Sequence, residues 1–158
     1  MTEHPIIPGL EVGSVIGAGG MGAVFAATDC VSGESYAVKV LERSTSTHAA
    51  RRRFEREANA MLRLQHENVC RAFSFGEMAN GGLFLVLERL NGEDLSKQLE
   101  KVGRLPIRSC IDIGLQVASG LGAAHAAGLI HRDVKPSNIF LEEAEGGAVV
   151  KILDFGLA

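Results

Sequence analysis

The clearest alternation in the chain lies at residues 36–41, "YAVKVL", where Tyr36, Val38 and Val40 point one way and Ala37, Lys39 and Leu41 the other. A period of two marks a β-strand. Apolar runs at residues 12–16 and 23–28 predict two more strands, one on each side of a glycine-rich stretch. "RAFSFGEM" and "LFLVLER", joined by Asn80-Gly81-Gly82, predict a hairpin. The period then changes to that of helices. Ser44 to Thr47 offer N-caps for a helix reaching about Leu64, whose apolar face runs through Phe54, Ala58 and Met61. Residues 93–102 predict a short helix. A longer one has Pro106 in its first turn and stops at Gly128. Short strands at 139–141 and 149–153 bracket an acidic, glycine-containing turn. Strands dominate the first half and helices the middle, which is an α+β pattern.

Composition narrows the classes. With 158 residues, 46% apolar and 22% charged, the chain suits a globular domain and not a disordered one. A net charge of −3 without a basic block argues against nucleic acid as the partner. Cys30, Cys70 and Cys110 are far apart and form no C-x-x-C pair, so they read as reduced core thiols of a cytoplasmic protein. The start lacks a signal-peptide pattern, and residues 117–130 are too short and too glycine-broken to span a bilayer.

The chemistry begins at "VIGAGGMGAVFAAT", where Gly17, Gly19 and Gly22 spell G-x-G-x-x-G. That spacing opens dinucleotide-binding βαβ units, and it also occurs in hairpin loops that cover ATP phosphates. A βαβ unit needs a crossover helix at once. Only residues 21–28 precede the turn at Ser32-Gly33, and they make a better strand than a helix. Glu42, however, sits roughly where a ribose-binding acid would, so the glycines leave both readings open. Lys39 lies inside an apolar strand, and Glu57 falls on the apolar face of the following helix. A buried acid is costly unless paired, and Lys39 is its natural partner. In "HRDVKPSN", Asp133 can accept a hydroxyl proton, Lys135 can neutralise a phosphoryl group, and Asn138 offers an oxygen to Mg2+. "DFG", residues 154–156, adds Asp154 as a second metal ligand.

Together with "YAVK", "RFEREA" and "HEN", these motifs stand in the order of the Hanks-type protein kinases, and the chain resembles the bacterial serine/threonine branch. The resemblance implies a protein-kinase-like α+β fold. Residues 1–90 would be a complete N-lobe and hinge, and residues 91–158 a partial C-lobe. It implies that Gly17, Gly19 and Gly22 cover the phosphates, and that Ile16, Val24, Ala37 and Phe140 sandwich adenine. Leu87 would be the gatekeeper and Glu88 to Leu90 the hinge. Lys39 would pair with Glu57, and Met61, His131 and Phe155 would stack. Asp133 would be the base, Lys135 its cationic neighbour, and Asn138 and Asp154 the ligands of Mg2+, with Mn2+ as a substitute. The implied partners are ATP and a protein bearing serine or threonine, with no nucleic acid and no membrane segment in this chain. Arg132 implies control through a phosphorylated activation loop. The sequence ends at Ala158, before the family's activation segment and A-P-E motif. The expectation is an active parent protein, in some relatives membrane-anchored, and a segment 1–158 that transfers little phosphate and exposes apolar helix surface. A non-catalytic ATP-binding scaffold and a kinase-like small-molecule phosphotransferase are the alternatives.

Overall fold

The computed structural model describes residues 5–19, 22–41, 48–145 and 147–155. The chain divides into two compact units. The first is built from the chain up to Leu62 and from Ala72–Arg89; the second from Arg63–Arg71 and from Leu90 onward.

The first unit holds a five-stranded antiparallel sheet: β1 (Leu10–Gly19), β2 (Gly22–Asp29), β3 (Ser35–Leu41), β4 (Ala72–Glu77) and β5 (Leu83–Glu88), in the order β1-β2-β3-β5-β4. The pleat sorts its residues onto two faces. On one, Phe25, Val38 and Val86 lie opposite each other, and Val38 and Val86 join Ile7, Ala27, Met78 and Phe84 in an apolar core. On the other, Val24, Lys39, Leu85 and Phe75 stand in register, as do Ala26, Ala37 and Leu87. The helix α1 (His48–Arg63) meets this second face. Phe54 packs edge-on against Phe75 at 5.7 Å, and the Arg51 guanidinium bonds the Gly81 carbonyl (3.3 Å) and the Glu77 carboxylate (2.5 Å).

The second unit holds β6 (Gly92–Asp94), α2 (Leu95–Val102), α3 (Ile107–Ala126), a 3-10 turn at Pro136–Asn138, β7 (Ile139–Ala144) and β8 (Gly147–Ile152). The antiparallel order is β6-β7-β8. Asp94 caps α2 by accepting the Lys97 N–H at 3.0 Å, and Gly103, at φ 74°, ends it. Leu95, Ile139 and Val150 form the core here, with Ile113, Val117 and Leu141 packed on them.

Several expectations shift. Residues 93–94, predicted as the start of the short helix, belong instead to the three-residue strand β6, and the helix begins at Leu95. The acidic turn is tighter than the sequence suggests, because β7 and β8 pair as far as Ala144↔Gly147. The apolar "GLI" just ahead of "HRDVKPSN" reads in the sequence as a strand, but residues 129–130 form none. Pro106 sits at the N-cap of α3 and not inside its first turn. Of the three thiols only Cys70 is buried; Cys30 and Cys110 are exposed, so they are not core residues. The candidate caps at 44–47, Glu42 and Gly156 lie outside the described residues. Ile107, Ile111 and Leu115 leave an exposed apolar stripe on α3. Among the described residues no helix is long and apolar enough to cross a membrane.

Candidate functional site

The predicted residues fall into two groups, one in each unit. In the first unit, β1 and β2 are adjacent antiparallel strands with Gly19 opposite Gly22 and Gly17 opposite Val24. Only two residues separate the strands, so the glycines belong to a hairpin and not to a crossover helix. Gly22 is required by sterics. It has φ +135°, and a Cβ there would overlap the Val40 carbonyl oxygen. Next to this hairpin lies one continuous face carrying Val24, Ala37, Lys39 and Leu87. Ala37, Lys39 and Leu87 are buried, whereas Ile16 on β1 is exposed. Glu88 is half-buried opposite Tyr36 at the end of β5.

Lys39 keeps only 4% of its surface and Glu57 only 8%. Lys39 projects from the sheet face that meets α1. Glu57 shares the buried stripe of α1 with Phe54, Ala58 and Met61, and also bonds Arg53 at 3.5 Å. Two opposite charges are thus desolvated on facing elements, which is tolerable only where polar partners are supplied. Among the described residues no buried side-chain nitrogen or oxygen lacks a partner.

The second unit gathers Asp133, Lys135, Asn138, His131, Phe155 and Asp154 around one loop. Lys135 Nζ lies 2.6 Å from Asp133 Oδ2. The Asn138 carboxamide donates to the Asp133 carbonyl (2.8 Å) and carboxylate (3.1 Å), which leaves its oxygen as the donor atom for a cation. The loop is tied to the end of β8: Leu153 N–H donates to the Asn138 carbonyl (2.9 Å), and His131 Nε2 bonds the Leu153 carbonyl (2.6 Å). Asp133 N–H donates to His131 Nδ1 (3.2 Å), and these two partners select the tautomer protonated at Nε2. The buried His131 and Phe155 rings lie 4.8 Å apart. Asp154, the next residue after Leu153, and Arg132 both have positive φ, 56° and 67°. Such conformations persist in non-glycine residues where the surroundings over-determine them. Phe140 lies on the face of β7 turned away from the core, beside Lys151. Leu90 belongs to this unit and is half-buried.

The Lys135 ammonium holds the Asp133 carboxyl below the usual carboxylate range, with Asn138 adding to the effect against a smaller cost of desolvation. Asp133 is therefore ionised at neutral pH. Asn138 and Asp154 supply hard oxygen donors, the type Mg2+ takes. Among the described residues no three acid, His or Cys side chains cluster as a metal cage.

Gln116 went unread in the sequence, and Asn68 was read only as the last residue of the "HEN" motif, with no role of its own. Asn68 is buried and bonds Gln116 Oε1 (3.1 Å) and the Val150 carbonyl (3.0 Å). Gln116 Oε1 also accepts Val150 N–H (2.9 Å). A signal for Gln116 existed: it falls three residues after Ile113 and four before Gly120, on the buried stripe of α3, as Glu57 does on α1.

Residues 10–158 match the family model described as the protein kinase domain. Among curated proteins, the chain is 39% identical to a probable serine/threonine-protein kinase of Corynebacterium efficiens, with 94% of the chain and 23% of the relative covered. It is 40% identical to the serine/threonine-protein kinase PknA of Mycobacterium tuberculosis, covering 91% of the chain and 34% of the relative. The chain therefore spans about a quarter to a third of these relatives. The crystal structure of the Mycobacterium tuberculosis PknI kinase domain superposes with a TM-score of 0.87 at 29% identity, covering 100% of this chain and 64% of that one. The chain belongs to the protein kinase domain family.

Proposed function

We propose that this member of the protein kinase family transfers the γ-phosphoryl group of ATP to serine or threonine hydroxyls of a protein, with Mg2+ as cofactor and Mn2+ as substitute. The observation that carries the reading is the Asp133–Lys135–Asn138 cluster, locked by two hydrogen bonds to the strand end that bears Asp154. Both the similarity to serine/threonine-protein kinases and this cluster support it.

In this reading residues 1–90 form the lobe that covers the nucleotide, and residues 91–158 form part of the catalytic lobe. The Gly17–Gly22 hairpin lies over the phosphates. Lys39, held by Glu57, bonds the α- and β-phosphates. Ile16, Val24, Ala37 and Phe140 enclose the adenine, beside Leu87 and the Glu88–Leu90 backbone. Asn138 and Asp154 hold the metal, which when bound neutralises phosphate charge. The substrate hydroxyl gives its proton to Asp133 as its oxygen bonds to the γ-phosphorus, and the bond from that phosphorus to the β-phosphate oxygen breaks to release ADP. Lys135 offsets the charge on the transferred group. Positioning and electrostatics carry the chemistry, with no covalent intermediate on the protein. The supply of ATP assigns this activity to the cytoplasm. Residues 1–158 by themselves are expected to bind Mg-ATP and to transfer little phosphate.

The test uses the longest polypeptide that carries this sequence, with γ-labelled ATP and a protein acceptor. Asp133→Asn should abolish labelling of serine and threonine while ATP binding persists. Labelling undiminished in Asp133→Asn would overturn the reading. Thermal stabilisation by ATP with no transfer by the parent protein would assign the scaffold role instead. Labelling of an aminoglycoside and not of protein would assign small-molecule phosphotransfer.

A further inference from the structure

One edge of β8 pairs with β7; on the other, among the described residues, there is only a single parallel bridge, Val69 with Ile152, and no strand. Four hydrogen bonds nevertheless occupy it. Val150 N–H donates to Gln116 Oε1 (2.9 Å), and Asn68 Nδ2 donates to the Val150 carbonyl (3.0 Å). Ile152 N–H donates to the Asn68 carbonyl (2.9 Å), and Cys70 N–H to the Ile152 carbonyl (3.0 Å). A fifth bond, Asn68 Nδ2 to Gln116 Oε1 (3.1 Å), links the two side chains. Val150 and Ile152 are among the most buried residues of the chain, so unpaired backbone groups there would be costly. Gly120 lets α3 come close enough. A Cβ at that position would stand 2.7 Å from the Asn68 carbonyl oxygen and 2.8 Å from Ile152 Cδ1.

The clamp ends two residues before Asp154. Between them, Leu153 is bonded on both sides, to Asn138 and to His131. Asp154 itself sits at φ 56°, a conformation that depends on its neighbours being fixed. We propose that Asn68 and Gln116 are positioning residues for Asp154: by replacing a missing strand along β8 they fix the register that delivers the Asp154 carboxylate to the metal. This rests on the reading of Asp154 as a Mg2+ ligand.

Gln116→Leu removes the shared acceptor at similar volume. Gln116→Glu keeps it, because a carboxylate oxygen also accepts both bonds. For each variant ATP affinity is measured by calorimetry against free Mg2+, alongside ATP affinity in EDTA and hydrogen exchange at the Val150 amide. Gln116→Leu should raise the Mg2+ midpoint about tenfold, the low end for groups that orient a metal ligand. It should leave ATP binding in EDTA unchanged and accelerate exchange at Val150, while Gln116→Glu stays near the parent. A purely structural role would lower thermal stability and leave the Mg2+ midpoint in place, which overturns the proposal. If Gln116→Leu does not fold, Gln116→Asn draws the acceptor back by one methylene, and an unmoved midpoint there is equally fatal. Asp154→Asn is the control. A midpoint unmoved in that variant removes the metal-ligand reading itself, whereas a midpoint moved there but not in Gln116→Leu removes only the positioning role.

Discussion

Gly22→Ala separates the structural demand for a glycine from the phosphate-binding one. Gly22 has φ +135°, and an added Cβ would overlap the Val40 carbonyl oxygen while standing 3.0 Å from the Val40 carbonyl carbon and 3.3 Å from Leu41 Cα. All of these are backbone atoms of β3, which is held between β2 and β5. No side chain can swing aside, so the strand must move. The forced backbone conformation costs about 1–3 kcal/mol, and pushing a packed strand adds about 1–3 kcal/mol. A total of about 2–6 kcal/mol lowers Tm by roughly 4–24 °C for a chain of this size. Gly17→Ala is the matched comparison. Its Cβ would meet only Val24 Cβ and Cγ2, at 3.7 and 3.9 Å, ordinary contact distances. Its thermal midpoint should stay within about 2 °C of the parent, because a surface change free of these features costs within about 0.5 kcal/mol. Differential scanning calorimetry of the two variants without ligand decides the matter. Equal midpoints for Gly22→Ala and Gly17→Ala would refute the steric argument, whatever either does to ATP binding.

Two further outcomes are expected. Lys135→Met should raise the pKa of Asp133 back toward the ordinary aspartate value, since the Lys135 ammonium is the main cause of its depression. The carboxylate then protonates at a higher pH as the solution is acidified, and the acid limb of phosphoryl transfer moves up with it; a carboxyl-carbon NMR titration showing no upward movement would contradict this. Phe54→Ala empties a site that is 3% exposed and removes the edge-on contact with Phe75. It should cost about 3–5 kcal/mol in urea unfolding and weaken ATP binding as well, because α1 also carries Glu57; a loss below about 1 kcal/mol would mean that α1 is not seated through Phe54.

What could be read from the sequence was what a single element decides. The alternation at 36–41 places Lys39 with Ala37 and Leu41, and the registers with β2 and β5 keep that face intact. The stripe through Phe54, Ala58 and Met61 brings Glu57 indoors because helical period alone fixes which side chains share a face. The glycines were ambiguous for a physical reason: close backbone approach demands the same residue from a phosphate loop as from a packed strand. At Gly22 the nearest backbone is that of the chain itself. What stayed hidden depends on partners distant in sequence. Three residues of β6 have no pattern of their own and become a strand only because β7 returns beside them. The thiols of Cys30 and Cys110 were placed inside by residue type, yet exposure is a property of the neighbours and not of the thiol. Asn68 and Gln116 lie 48 residues apart and meet through one oxygen that also serves Val150. Glu57 and Gln116 nevertheless obey one rule, since each is a polar side chain on the apolar stripe of its helix. Burying such a group without a partner costs about 1–3 kcal/mol, and more if it is charged, so its presence on that stripe points to a bond made across the fold. In Glu57 the charge made the anomaly loud enough to read. In Gln116 a neutral amide concealed the same logic.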